Sequence, residues 1–537
     1  VMEADTKQIL KQALSRRTIA VISHPDAGKS TLSEALLLHS NAITEAGAIH
    51  GKAGRRGTVS DWMEMEKARG ISVSSAVLQF TVGDAIVNLV DTPGHADFSE
   101  DTFRVLAAVD AVIMLIDAAK GMETQTMKLF EVCKARGLPV ITVINKWDRP
   151  GQDALELVDE ILTRTGMRSM PRNWPVGDSG HMLGLLNPEA MTMNRYTRAP
   201  GGAKKVLAEK LSAETAEAEY PLEFQTAVEE SSLLELEDQF YDRDAFLAQE
   251  ATPLFFASAV QNIGVEELLH FIMEQGPPPQ ARPDAEGTPY ELTSDFSGYV
   301  FKVQTGMDKA HRDRIAFMRI CSGVFERGMV ATHAQSGKPF PTKYSQQVFG
   351  RDRTTVDTAW PGDVVGLVNA STLRPGDTLH AGQSVLFPPF KPFAPEHFRV
   401  GKTGDASKHK QFRKGIEQLD REGVIQVFYS ERRGQQRPVL GAVGPMQFEV
   451  VSARMESDFG AAVSFDALDY SVARDIDDEA AAILSERQDC EVLYRNDGTP
   501  VALFRDPWRL RTVQRDHPHL LPDPPGSATS ASVSARR

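Results

Sequence analysis

The sequence predicts an α/β phosphate-loop domain, then a β-barrel domain, then a C-terminal α+β domain. Three observations carry this. The apolar run Thr18-Ile19-Ala20-Val21-Ile22 leads directly into Ser23-His24-Pro25-Asp26-Ala27-Gly28-Lys29-Ser30 and then into a helical pattern. That is the strand, loop and helix order of a nucleotide-binding unit. Up to residue 276, apolar runs alternate with helical patterns, as in a mainly parallel sheet. Beyond residue 291, short β-rich runs separated by glycine turns replace that rhythm.

In chain order, strands are expected at 18–22, 77–82, 85–90, 111–117, 140–145 and 253–257, and helices at 29–38, 98–108, 122–136, 152–164 and 264–274. Between about 166 and 250 the strand rhythm disappears, and the acidic run from Glu229 to Asp238 falls there. The stretch reads as an insertion into the domain spanning 1–276. Gln275-Gly-Pro-Pro-Pro-Gln-Ala-Arg-Pro283 marks a linker, taken as 277–290. The barrel, 291–388, is expected from Gly298-Tyr-Val-Phe-Lys-Val303, Ile315-Ala-Phe-Met-Arg-Ile320 and the turns Pro361-Gly-Asp363 and Pro375-Gly-Asp377. Residues 394–515 mix a helix at 405–422, a strand at 424–428 and the apolar run Val439-Leu-Gly-Ala-Val-Gly444. The Ser/Ala/Pro-rich tail, 516–537, is expected to be disordered.

Hydrophobic residues make up 41% of the chain, enough for sizeable cores. The three cysteines, Cys133, Cys321 and Cys490, form no CxxC pair and are odd in number. They read as reduced thiols rather than a disulfide frame or a zinc site. No run of about 18 apolar residues occurs, and the N-terminus lacks a basic–apolar–small pattern, so a soluble cytoplasmic protein is expected. The net charge of −14 argues against a general nucleic-acid binder. Charge is local, however: Arg399 to Arg437 holds ten Lys/Arg against five Asp/Glu. That stretch is a candidate polyanion contact; the alternative is a mixed solvated surface.

The chemistry concentrates in three loops. In the first, successive backbone N–H groups and the positive end of the following helix suit a β-phosphate. Gly28 permits close backbone approach, Lys29 bridges β- and γ-phosphate oxygens, and the Ser30 hydroxyl ligates Mg²⁺. In the second, Val87-Asn-Leu-Val90 ends in Asp91-Thr92-Pro93-Gly94-His95. Asp91 suits Mg²⁺ through a water, the Gly94 N–H suits the γ-phosphate, and His95 stands where a side chain that positions the attacking water belongs. In the third, Asn145-Lys146-Trp147-Asp148 follows an apolar strand. The Asp148 carboxylate accepts N1–H and N2–H₂ of guanine; adenine has no such donor pair and would leave the acid unpaired. Asn145 ties this loop to the phosphate loop, and the Lys146 stem lies over the purine. Ser258 and Ala259 close a later strand, with the Ala259 N–H facing guanine O6. GTP or GDP with Mg²⁺ is the expected ligand.

Loop, DTPGH and NKxD in this order resemble the translational GTPases. Glu66-Lys67-Ala68-Arg69-Gly70-Ile71-Ser72 resembles that group's first switch, whose last hydroxyl ligates Mg²⁺ with GTP bound; here it is Ser72. The resemblance implies that ribosomal RNA draws in His95, gated by Pro25 and Ile71. Within this group, which is built like elongation factor G, the chain is most similar to the bacterial release factor 3 family. Ser23-His-Pro-Asp-Ala-Gly-Lys29, Ser60-Asp-Trp-Met-Glu-Met-Glu-Lys-Ala-Arg-Gly-Ile-Ser72, Asp91 to Thr102, His311 to Arg319, Phe393 to Arg399 and Gly441 to Phe448 carry the likeness.

The resemblance implies a ribosome-activated GTPase that ejects codon-reading (class I) release factors after peptide release. The implied partners are ribosomal RNA, ribosomal proteins and class I factors, and a monomer is expected. A translocase or tetracycline ribosomal-protection GTPase is the first alternative, disfavoured because the roughly 140 residues given after the barrel are few for the further domains those carry. A nucleotide-gated ribosome-binding module without useful hydrolysis is the second; such a module would lack His95.

Overall fold

The computed structural model describes residues 6–40, 76–93, 99–196, 208–235, 240–305, 314–349, 352–390, 393–430, 432–434 and 436–521. The chain divides into two compact units at Phe390.

The first unit opens with α1 (Thr6–Leu14), β1 (Arg16–Ser23) and α2 (Lys29–His39), then the hairpin β2 (Ala76–Val82) and β3 (Ala85–Asp91). There follow α3 (Ser99–Leu106), β4 (Ala111–Asp117), α4 (Thr124–Ala135), β5 (Val140–Asn145), α5 (Ala154–Thr165) and β6 (Arg168–Pro171). Next come β7 (Trp174–Val176), β8 (Gly184–Asn187), β9 (Thr192–Tyr196), β10 (Ala208–Ser212), α6 (Ala213–Glu219), α7 (Pro221–Ser232) and α8 (Arg243–Leu247). The α/β part closes with β11 (Ala251–Phe256) and α9 (Val265–Gln275).

Seven strands form the main sheet in the order β2-β3-β1-β4-β5-β11-β6. Every neighbouring pair is parallel except the β2/β3 hairpin. Alternation along the strands sends side chains to two cores. Ile19, Val21, Ile113, Leu115, Ile141 and Val143 face α2 and α9. Ala20, Ile22, Val112, Met114 and Ile116 face α3, α4 and α5. Helix ends follow the chemistry of their caps: the Asp153 carboxylate accepts from the Leu155 and Glu156 N–H groups at the start of α5, and Gly166 (φ 77°) ends it.

The stretch 166–250 is not wholly an insertion. Arg168–Pro171 pairs with β11 and extends the main sheet. A four-residue strand is too short to show as a period in sequence. Whereas α8 packs Phe246 into the core under the main sheet, the described residues from Trp174 to Ser232 build a separate antiparallel sheet, β10-β9-β8-β7, with α6 and α7. Trp174 anchors it: its ring is buried and its Nε1–H donates to Glu230 Oε2 at 2.9 Å.

The segment 277–290 is a braced connection. β12 (Arg282–Pro283) pairs with β13 (Pro289–Tyr290). The Arg282 guanidinium sits 4.0 Å from the Tyr299 ring centroid and 5.3 Å from that of Phe387, and donates to Ala107 O. The β-barrel domain follows with β14 (Ser297–Thr305), β15 (Arg314–Ser322), β16 (Phe325–Glu326), β17 (Val330–His333), β18 (Lys338–Pro341), β19 (Ser345–Phe349), β20 (Asp352–Thr355), β21 (Thr358–Ala359), β22 (Val364–Val368) and β23 (Thr378–His380). Eight of these run β18-β17-β23-β14-β15-β22-β19-β20 over a core of Val300, Ala316, Met318, Ile320, Val365 and Leu379.

Buried polar contacts fix the barrel to the N-terminal ends of the main sheet. Arg16 pairs with Asp363 at 2.8 Å. Arg319 reaches both Asp110 oxygens, at 2.6 and 2.8 Å, and donates to Ala108 O. The Gly362 carbonyl accepts from Thr18 Oγ1 on β1 (2.6 Å) and from Asn88 Nδ2 on β3 (3.0 Å). Gly362 lies at φ 96°, where a Cβ would stand 2.5 Å from Pro279 Cγ.

The second unit holds β24 (His397–Lys402), α10 (His409–Glu422), β25 (Gln426–Phe428), β26 (Val439–Ala442), α11 (Met446–Phe459) and β27 (Ser464–Leu468), with sheet order β25-β26-β24-β27. It continues through β28 (Val472–Asp475), α12 (Asp478–Leu484), β29 (Cys490–Tyr494), β30 (Pro500–Phe504) and α13 (Pro507–Asp516), with sheet order β28-β30-β29. The expected disordered tail, 516–537, begins too early: Asp516 closes α13, and Leu520 and Leu521 are buried in one core with Leu510 and Val513, a return of two leucines too short to show as a period, while 522–537 lie outside the described residues. Among the described residues no helix is long and apolar enough to cross a membrane.

Candidate nucleotide site

Among the described residues, those singled out in sequence lie at the C-terminal ends of β1, β3, β5 and β11, where open parallel sheets place ligands. The loop after β1 turns through Asp26 at φ 67° and Gly28 at φ 96°, and Gly28 caps α2. A Cβ on Gly28 would lie 2.5 Å from Asn145 Nδ2, so both the dihedral and the close approach demand glycine. Lys29 is the first residue of α2, and its Nζ lies 2.6 Å from Asp91 Oδ1, with both side chains buried. The Thr92 hydroxyl donates to Val21 O at 2.6 Å and ties the end of β3 to β1.

Asn145 performs the tie expected of it, twice over. Its Nδ2–H donates to Ala27 O at 2.8 Å, and its Oδ1 accepts the Ala259 N–H at 3.0 Å. The Ala259 N–H, expected to face guanine O6, is thus given a protein acceptor. The reason is that the two ends of one carboxamide bridge two loops at once. The Asp148 carboxylate, 10% exposed, accepts from Ser258 Oγ at 2.6 Å. Ser258 therefore orients the acid, which leaves its second oxygen 3.9 Å from Arg149 Nε. Trp147 does not offer its ring to a base: it is buried edge-on against Phe256, with centroids 4.8 Å apart.

Two residues that sequence reasoning did not single out complete the arrangement. Asp117, at the end of β4, accepts from Lys146 Nζ at 2.8 Å and from the Ala119 N–H at 2.9 Å. Burial pushes its carboxyl up, but these donors outweigh burial and hold it below the usual carboxylate range. Lys146, at φ 68°, also donates to Asp26 O, so its stem spans from the base loop to the phosphate loop. Glu123 lies 2.9 Å from His24 Nδ1. The His24 imidazole is turned inward and buried, and burial holds it below its ordinary value against the opposing pull of Glu123. An acid at a strand end before Ala-Ala-Lys is the one signal that could have pointed to Asp117; Glu123 gives none.

Ile71, Ser72, Gly94 and His95 lie outside the described residues. Among the described residues no cluster of three or more His, Cys, Asp or Glu is placed to hold a metal. The oxygen donors Ser30 and Asp91, both beside the head of α2, suit a hard cation that keeps most of its waters.

The candidate polyanion stretch 399–437 is partly neutralised within its own unit. Lys402 pairs with Asp466 at 2.8 Å, Arg413 with Glu417 at 2.9 Å and Arg433 with Glu491 at 2.7 Å. Arg399 stacks 4.4 Å from the Phe448 ring centroid.

Comparison with known proteins gives the family. Residues 14–278 match the elongation factor Tu GTP-binding domain, 295–382 match elongation factor G domain 2, and 387–514 match the class II release factor RF3 C-terminal domain. The chain is 42% identical to peptide chain release factor 3 of Synechococcus elongatus over 96% of its own length and 93% of the relative's. It is 43% identical to peptide chain release factor 3 of Symbiobacterium thermophilum over 95% of its length and 97% of the relative's. A solved structure from Thermus thermophilus shares the fold, with a TM-score of 0.68 at 23% identity, covering 84% of this chain and 67% of that one.

Proposed function

The chain belongs to the peptide chain release factor 3 family, a family of translational GTPases, and on that premise we propose that it uses ribosome-stimulated GTP hydrolysis to promote dissociation of class I release factors after peptide release. The observation that carries the reading is that Asn145 bridges the phosphate loop and the loop after β11, bringing two sets of side chains to one edge of the sheet. Ser258 holds the Asp148 carboxylate, which supports its reading as the guanine acceptor, and Lys29 meets Asp91 at the head of α2. With a triphosphate and Mg²⁺ bound, Lys29 would pair with phosphate oxygens and Asp91 would help to hold the cation.

The residues act as follows. The Gly28 backbone and the Lys29 ammonium cradle β- and γ-phosphate oxygens, and Asn145 keeps that cradle in register with the base loop. Asp148 accepts the two guanine donors, with the Lys146 stem across the purine, while Trp147, Ser258 and Ala259 act from behind as support. Ser30, Ser72 and Asp91, the last through water, would hold Mg²⁺, which when bound neutralises charge developing on the phosphates. His95 orients the attacking water. Loss of the γ-phosphate releases the Gly94 and Ser72 tethers, which is the switch. The protein works in the cytoplasm, on the ribosome.

The test is factor recycling on termination complexes. We expect a class I factor to leave faster with this protein and GTP than with GTP alone. We also expect hydrolysis to rise by about 10³-fold or more on ribosomes, the scale of activation supplied in trans. Factor release at the unassisted rate would overturn the proposal.

A further inference from the structure

Helix α13 carries an outward face that the nucleotide site does not explain. Asp506 caps it, accepting the Arg509 N–H at 2.9 Å, and Leu510 and Val513 face inward. At about 100° per residue, Trp508, Arg511, Thr512 and Arg515 fall on the opposite, solvent pole. Trp508 is 66% exposed, whereas Trp147 and Trp174 are buried. The Arg515 side chain is 77% exposed and Arg511 is exposed. Two of the helix's arginines meet carboxylates of their own element, and no ion pair is seen for Arg511 among the described residues. Asp506 lies 3.5 Å from Arg509 and Asp516 lies 3.2 Å from Arg515. Arg505, just before the helix, is 3.8 Å from an exposed Asp469.

In a chain of net charge −14, an exposed indole flanked by two exposed guanidinium groups, with Asp516 beside only the second, is a locally basic face. We propose that Trp508 is a stacking platform for an unpaired RNA base, with Arg511 and Arg515 holding the adjoining phosphates. This rests on the ribosome-bound reading above and names a place where such RNA is gripped. An indole face accepts any base, and guanidinium groups grip phosphate, which is how single strands are held without base-edge readout. Charge complementarity selects this occupant over the chain's own terminus. Residues 522–537 contain one acid, two arginines and Val533 as the sole bulky apolar side chain, so they offer little to an aromatic face between arginines.

The test uses the full chain and a fluorescein-labelled single-stranded RNA of about 12 nucleotides, within the usual site size, at low salt, read by anisotropy. Stacking is worth about 1–3 kcal/mol per base, so Trp508→Ala should weaken binding about 5- to 150-fold. Trp508→Phe should keep most of the affinity, Arg511→Glu with Arg515→Glu should remove it, and a duplex of equal length should bind less tightly. No RNA binding by the unaltered chain, or unchanged affinity in Trp508→Ala and the double arginine variant, overturns the proposal. So does loss in the arginine variant alone, since charge without stacking would then suffice. Ribosome-stimulated GTP hydrolysis, measured on the same preparations, separates the two readings. Stimulation with no effect of Trp508 on RNA sinks this inference alone, and RNA binding without stimulation sinks the functional proposal alone.

Discussion

Asp148 illustrates how a single side chain sets the ligand. Its carboxylate is nearly enclosed and steered by Ser258, so a base without two donors leaves it unpaired. Asp148→Asn should lower GTP affinity roughly 10- to 100-fold, the worth of one charged hydrogen bond, and shift preference toward xanthosine triphosphate. Equilibrium binding with both nucleotides checks this. His24 makes the second prediction at this scale. Burial keeps its folded-state pKa below the ordinary imidazole value, so below about pH 6.5 the unfolded chain takes up the proton first. Its contribution is present above that pH and is lost as pH falls toward the depressed value. Melting temperature should therefore drop more steeply between about pH 7 and pH 5 in the unaltered chain than in His24→Gln. The phosphate-loop and base-loop residues were legible because their types and order are themselves the chemistry. Asp117 and Glu123 were not, because each acts through a partner about 30 or 100 residues away in sequence (Lys146 and His24).

The elements were legible where they are long and apolar. β1, β4 and β5 are buried on both faces and read as continuous hydrophobic runs. β6 and β7, of four and three residues, gave no period. The connection at 277–290 looked like a spacer because proline and glycine dominate it. What braces it, Arg282 over Tyr299, is a contact between distant residues that composition does not encode. The same holds for the barrel's footing on the sheet. Arg16 and Asp363 are both buried, and removing one partner strands the other. Asp363→Ala should destabilise the first unit by about 3–5 kcal/mol, whereas the paired replacement Arg16→Met with Asp363→Leu should cost much less. Urea midpoints of the three proteins decide between a paired charge and incidental proximity; equal midpoints for the single variant and the parent would contradict the assignment.

For the whole molecule, the order of domains followed from changes of rhythm along the sequence, but which surfaces meet did not. The carbonyl of Gly362 shows why that matters. A carbonyl oxygen offers two lone pairs, and Thr18 on one strand and Asn88 on its neighbour take both. The barrel thus rivets two strands of another domain side by side, at their ends remote from the phosphate loop. A fragment ending at residue 276 would pull that rivet out, leaving a hydroxyl, an amide, Arg16 and Asp110 without their mates. Such a fragment should melt well below the first unit of the intact chain in calorimetry. A protein trimmed to its catalytic half would inherit the machinery without the fastening that holds it square.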